Sequence, residues 1–120
     1  MRSHNNLDAW KRSIDFVEKI YRVTDGFPKE EKFGLTSQIR RAAVSIPANI
    51  AEGAARSYGK EYLRFLSNAQ GSASEVETEL LIAHRLGFLS EADYVELYTT
   101  LDEIGRMITG ICNYLKRTTK

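Results

Sequence analysis

From Tyr62 to Gly87 the small and apolar side chains recur at alternating steps of four and three: Tyr62, Leu66, Ala69, Ala73, Val76, Leu80, Ala83 and Gly87. A 3.5-residue repeat held for this long is the seam of a helix that crosses its neighbours at about +20°. The same alternation runs through Tyr94, Leu97, Leu101, Ile104, Ile108, Ile111 and Leu115, and through Leu7, Trp10, Ile14, Val17, Tyr21 and Thr24. A further stretch offers Leu35, Ile39, Ala42, Ile46 and Ile50. No segment alternates with the period of two that a half-buried strand needs.

The breaks between these stretches agree with four helices. "TDGFPKEE" interrupts after the first, with Pro28 suited to the start of the next element. "RSYGKE" separates the second from the third. In "LGFLSEAD", Gly87 is a C-terminal stop, and Ser90 has Asp93 at capping-box spacing. The third helix is expected to run about 27 residues, or roughly 40 Å. Short connections between long helices force antiparallel neighbours. The sequence therefore predicts an all-α fold, an antiparallel up-down-up-down four-helix bundle. It forms one domain over 1–120 with its core at about 7–117, and residues 1–5 and 117–120 are expected to fray.

A chain of 120 residues builds one core without disulfides or metals to hold it. Cys112 is the single cysteine, which rules out an intramolecular disulfide and suits a reducing cytoplasm. Neither a signal-like h-region nor a run of about 20 apolar residues is present. The sequence reading is therefore a cytoplasmic protein without a membrane span. The net charge of +1 hides a segregation: residues 29–64 carry +3 and 106–120 carry +4, while 65–105 carry −7. The acidic block comprises Glu75, Glu77, Glu79, Glu91, Asp93, Glu96, Asp102 and Glu103, against Arg85 alone. A basic side and an acidic side either serve different partners or meet across a subunit interface.

Little here points to catalysis. A di-iron bundle needs Glu-x-x-His on two helices, whereas the histidines are His4 and His84, and neither follows a glutamate by three. His84 reads as a partly exposed helix residue. Glu75 and Glu77 point to different faces of a helix, and Glu75 and Glu79 share a face without a second carboxylate pair to complete a metal site. Cys112 lies beside the seam without an evident activator and reads as a packed thiol. Phosphate loops, dinucleotide fingerprints and serine elbows are absent. The expectation is a non-enzymatic protein with no catalytic residues, metal or cofactor.

The block "QIRRAAVSIPANIAEG", at 38–53, raises a different question, because Pro47 interrupts a helical pattern at a cost of roughly 3 kcal/mol. Around it, Ala42, Ala43, Ala48, Ala51, Gly53, Ala54 and Ala55 permit close approach of another helix. Arg41, Ser45, Asn49, Glu52 and Arg56 form a polar stripe at steps of 4, 4, 3 and 4. A bend at Pro47 exposes carbonyls that Ser45 and Asn49 are placed to satisfy. The arginines either bond to Glu75 or Glu79 of the next helix or belong to a shared surface. On the second reading, Arg40, Arg41, Arg56, Lys60, Arg64, Lys116 and Arg117 form an electropositive side suited to phosphate.

"WKRSIDFVEKIYRVTDGFPKEEKFGLTSQIRRAAVSIPANIAEGAAR", continuing through "YLRFLSNAQGSASEVETELLIAHRLGFL", resembles a four-helix-bundle family. Its members were first described as proteins encoded in 23S rRNA intervening sequences, and include accessory variability proteins of diversity-generating retroelements. The resemblance spans about residues 7–117, with "GSASEVETEL" at 71–80 as a second signature. It implies a homopentameric, barrel-like ring and, for retroelement members, binding to nucleic acid and contact with a reverse transcriptase. It places Arg40, Arg41, Pro47, Asn49, Glu52, Gly53, Glu75 and Glu79 on signature positions and supplies no catalytic motif.

Two functions compete. The first is a homo-oligomer that associates with structured RNA or an RNA/DNA hybrid through basic patches combined in a ring. The second is a protein-interaction or assembly module without nucleic-acid binding. The candidate subunit-interface residues are Arg41, Ser45, Pro47, Asn49, Glu52, Glu75 and Glu79.

Overall fold

The structure, a computed structural model, describes residues 7–56 and 58–118. Four helices account for most of it: α1 (Asp8–Thr24), α2 (Leu35–Ala54), α3 (Gly59–Arg85) and α4 (Glu91–Thr118), with a 3₁₀ turn at Lys29–Glu31 before α2. Among the described residues there is no strand, so the chain is all-α. The fraying expected at the ends falls mostly outside these residues, and Arg117 and Thr118 are helical.

Local chemistry sets the helix ends. Gly87 takes φ +83°, a conformation costly for residues with a Cβ. It lets Phe88 N–H reach the Ala83 carbonyl at 2.9 Å and Gly87 N–H reach His84 at 3.1 Å, closing a Schellman motif. Ser90 Oγ then accepts from Asp93 N–H at 3.1 Å and caps α4. His84 braces this joint. Its ring stacks on Tyr94 with centroids 4.6 Å apart, and its nitrogens face the Leu89 carbonyl at 3.1 Å and Glu91 at 2.9 Å.

Each helix buries one stripe in a single core. Ile39, Ile46 and Ile50 of α2, Leu66, Val76 and Leu80 of α3, and Leu97, Ile104 and Ile108 of α4 are almost wholly excluded from solvent. These are the seam residues read from the repeat. Along most of α1 the buried face is one residue out of step with the sequence reading: Ala9, Ser13, Phe16 and Ile20 are buried, whereas Ile14 and Tyr21 are exposed; Thr24, at the end of the expected seam, is buried as read. Ser13 tolerates burial because its hydroxyl donates to the Trp10 carbonyl at 2.8 Å. Thr24 does the same to Ile20 at 2.7 Å. Toward the end of α4 the buried position is Cys112, not Ile111.

Contacts between helices fall in register. Lys19 pairs with Glu96 at 2.9 Å and Arg12 with Glu103, joining α1 to α4. Gln70 donates to Thr109 at 3.1 Å across α3 and α4. Ser45 and Ser72 hydroxyls meet at 2.7 Å across α2 and α3. Further along that seam, a Cβ added at Gly53 meets Phe65 Cβ and Tyr62 Cδ1 at 2.9 Å and the Tyr62 carbonyl at 3.2 Å. The backbone of α2 thus lies directly on α3, and only glycine fits.

Candidate nucleic-acid interface

The cations singled out in the sequence separate into two locations. Arg40 belongs to the joint between α1 and α2. Its Nε donates to Thr24 Oγ1 at 2.8 Å and its Nη2 to the Tyr21 carbonyl at 3.2 Å, while its guanidinium lies 4.5 Å from the Tyr21 ring centroid. A cation at the C-terminus of α1 also complements that helix's dipole. Arg41, next in sequence, is exposed, and its side chain makes no hydrogen bond or ion pair among the described residues. Both lie roughly 20 Å along α2 from its C-terminal end.

Arg56, Lys60 and Arg64 flank the connection from α2 to α3. The Arg56 guanidinium lies 4.9 Å, and that of Arg64 4.5 Å, from the Phe65 ring centroid. Arg56 also pairs with Glu52 at 3.3 Å. Phe65 is held in place by the contact at Gly53, so the close approach of two backbones positions the ring that carries both cations. Lys116 and Arg117 sit in the last turn of α4. They share the end of the molecule with Lys60 and Arg64, because one cavity is walled by Leu7 of the α1 start, Tyr62 of α3, and Ile111, Tyr114 and Leu115 of α4. It measures about 590 Å³. Tyr58, 72% exposed at the N-terminus of α3, adds an aromatic surface.

The polar stripe on α2 is divided as well. Ser45, Asn49 and Glu52 face outward or toward α3, with Asn49 Nδ2 donating to the Ser45 carbonyl at 2.8 Å and to Ser45 Oγ at 3.0 Å. Pro47 is buried, inside an uninterrupted α2. Neither Glu75 nor Glu79 receives an arginine among the described residues. Glu75 is exposed, whereas Glu79 is 6% exposed with Oε1 lacking a hydrogen-bond partner. Burial, then the Glu75 charge and a hydrogen bond with Glu75, push the Glu79 carboxyl up to about 7.

The acidic block is partly neutralised within the chain, since Glu96 and Glu103 of α4 pair with Lys19 and Arg12 of α1. The Cys112 thiol is buried, and burial pushes its pKa up, as expected of a packing residue. Among the described residues, no group of three or more histidine, cysteine, aspartate or glutamate side chains is placed to hold a metal ion. No helix among them is long and apolar enough to cross a membrane.

The sequence reading missed the part played by Phe65 and the cavity lined by Tyr62. The signal was the interleaving "GKEYLRF", in which cations alternate with aromatic residues on one helical stretch.

These features define an all-α protein of four long helices with a cationic, aromatic-lined end. The chain belongs to the family of 23S rRNA-intervening sequence proteins, whose family model matches residues 5–110. Its fold is similar to that of a protein of unknown function from the S23 ribosomal protein family of Bacteroides thetaiotaomicron. The TM-score is 0.78 at 23% identity, covering 87% of this chain and 97% of that one. None of the curated proteins matches the chain.

Proposed function

We propose that the protein is a non-enzymatic, self-associating four-helix bundle that holds nucleic acid at its cationic end. The inter-helix pairs Arg12–Glu103 and Lys19–Glu96, Ser45–Ser72 and Gly53–Phe65, and Gln70–Thr109 and His84–Tyr94 support an antiparallel up-down-up-down arrangement, because residue numbers fall on one helix as they rise on its neighbour. The observation that carries the functional reading is the pair of guanidinium groups, Arg56 and Arg64, on the Phe65 ring; Lys60 in the first turn of α3 and Lys116 and Arg117 in the last turn of α4 add charge to the same end of the molecule. Guanidinium groups suit phosphate, and aromatic rings suit bases. Assembly into a ring of copies multiplies one modest patch; the family resemblance supports a pentamer, and the single cysteine suits the cytoplasm. Structured RNA or an RNA/DNA hybrid is the ligand class, with a reverse transcriptase as a candidate protein partner.

The test is fluorescence anisotropy with a labelled structured RNA at about 50 and 200 mM salt. Phosphate contacts release counterions, so affinity should fall steeply over that range. A Lys60→Ala/Arg64→Ala variant should bind more weakly with a shallower salt slope. Absence of binding to RNA, DNA and hybrid at the lower salt refutes the reading.

A second reading, an assembly module for protein partners, draws on the face formed by α2 and α3. These helices expose Arg41, Val44 and Ile82, and Glu79 of α3 is buried with one oxygen lacking a partner. Subunits joining through Arg41, Ser45, Asn49, Glu52, Glu75 and Glu79 would cover the face. Sedimentation of an Arg41→Glu variant tests this, with loss of mass expected if the face joins copies.

A further inference from the structure

We propose that the cavity where the end of α1 meets the start of α2 binds a small sugar phosphate, a phosphate monoester on a hydroxyl-bearing body. This cavity lies at the opposite end of α2 from Phe65 and its two arginines, so the inference does not rest on the nucleic-acid reading above.

The charges argue for an anion. Lys29, Lys32 and Arg40 line this space of about 390 Å³, against the single carboxylate of Asp25. Both lysines are exposed and make no ion pair among the described residues, and Lys32 Nζ lies 5.4 Å from the Phe33 ring centroid. The other acids of this turn do not neutralise them. Glu31 Oε1 accepts from the Leu35 N–H at 3.1 Å at the start of α2, and Glu30 is exposed and outside the lining. Arg40 commits Nε to Thr24 and Nη2 to Tyr21, which fixes the guanidinium and leaves Nη1 to a guest. A planar fork held in this way suits a phosphate.

Thr36 adds a donor with nothing to bind. It stands in the first turn of α2, one turn before Arg40 on the same face, and is only 7% exposed. The other buried hydroxyls, Ser13 and Thr24, donate to carbonyls of their own helix. That of Thr36 makes no hydrogen bond among the described residues. It is not sealed either, because the only sealed side-chain oxygen without a partner among those residues belongs to Glu79. The Thr36 hydroxyl is therefore open to the cavity it lines. Buried polar groups are nearly always satisfied, and this one stands among three cations, ready to donate to an anion's oxygen.

The rest of the lining describes the body that carries the phosphate. The space is larger than a bare phosphate ion fills and falls in the lower range of small-molecule sites. Phe27, almost wholly buried, and Pro28 give it an apolar wall. The Asp25 carboxylate repels a phosphate at its own position and accepts from a hydroxyl. Positive charge with a free hydroxyl takes the phosphate, and a carboxylate with an apolar wall takes a ring that bears hydroxyls.

Isothermal titration calorimetry on the full chain tests this, with ribose 5-phosphate, ribose and inorganic sulfate as probes. Ribose 5-phosphate should bind, and ribose and sulfate should each bind more weakly by on the order of tenfold. Thr36→Val removes the hydroxyl, and should weaken ribose 5-phosphate by on the order of tenfold at an unchanged urea midpoint. Thr36→Ser should keep most of the affinity. Lys29→Ala/Lys32→Ala, at exposed positions, should weaken binding at least as much and flatten its salt dependence. If Thr36→Val lowers the urea midpoint, the lysine variant decides. No binding of ribose 5-phosphate, equal binding of sulfate, or full affinity in the lysine variant overturns the proposal. Anisotropy with labelled RNA is read alongside, and the lysine variant should leave it unchanged. An equal loss of RNA affinity assigns these cations to a nucleic-acid surface, and the sugar-phosphate site falls.

Discussion

Replacing Glu79 with glutamine should stabilise the protein above neutral pH and leave it unchanged in mild acid. The carboxyl is 6% exposed, has an oxygen without a partner, and lies beside Glu75. Its pKa rises from 4.5 to about 7 on folding. At about 1.4 kcal/mol for each pKa unit, this gap represents roughly 3 kcal/mol. The sign comes from proton binding. Between pH 4.5 and about 7 the unfolded chain releases this proton while the folded chain retains it. Stability therefore falls with rising pH through that window and levels off above it. Glutamine cannot ionise, so the variant escapes the loss. Urea unfolding followed by circular dichroism, at fixed protomer concentration from about pH 4.5 to 8.5, should show matching midpoints at the acid end. A variant advantage of about 2–3 kcal/mol should develop by the alkaline end. Glu75→Gln should give a smaller gain, because burial is the larger cause. A difference between wild type and Glu79→Gln that stays constant across the range refutes the reasoning.

Four further variants separate stability from binding. Gly53→Ala should destabilise by about 1–2 kcal/mol, since overpacking against Tyr62 and Phe65 outweighs the helix-propensity gain; urea midpoints measure it. Arg40→Ala should cost about 1–2 kcal/mol, through the lost bonds to Thr24 and Tyr21, without weakening RNA binding. Lys60→Ala/Arg64→Ala should do the reverse, and anisotropy beside denaturation separates the two. His84→Ala, which removes the Tyr94 stack and two polar contacts at the α3–α4 joint, should lower stability by about 1–2 kcal/mol in the same assay.

The helices were legible because their seams are long and their punctuation is chemically strong. Leu66, Val76 and Leu80 announce α3 by spacing, and Gly87 and Ser90 mark its end and the next beginning by backbone chemistry. The phase of α1 was not legible. Size and hydropathy favour Ile14 and Tyr21 over Ser13, yet Ser13 is buried because its own helix supplies an acceptor. Side-chain satisfaction of that kind depends on rotamer geometry, which a repeat does not encode. The cationic end was legible only as a set of residue types. Arg40 and Arg56 look alike in sequence, but one lies over Tyr21 with its acceptors on α1 and the other lies over Phe65. What distinguishes them is which neighbour stands opposite, and that is a tertiary fact. Glu79 likewise read as part of an acidic face, and burial sets it apart.

The contact at Gly53 also bears on how the molecule forms and breathes. Two helices whose backbones touch beside a short connection gain many contacts at small sequence separation, so their closure costs little loop entropy. The α2–α3 hairpin is therefore expected to condense early, with α1 and α4 docking onto it, and its amides should exchange with solvent most slowly. The ring of Phe65 would then sit on the last part of the molecule to open. The start of α1 and the end of α4, which wall the cavity together with Tyr62, would loosen first.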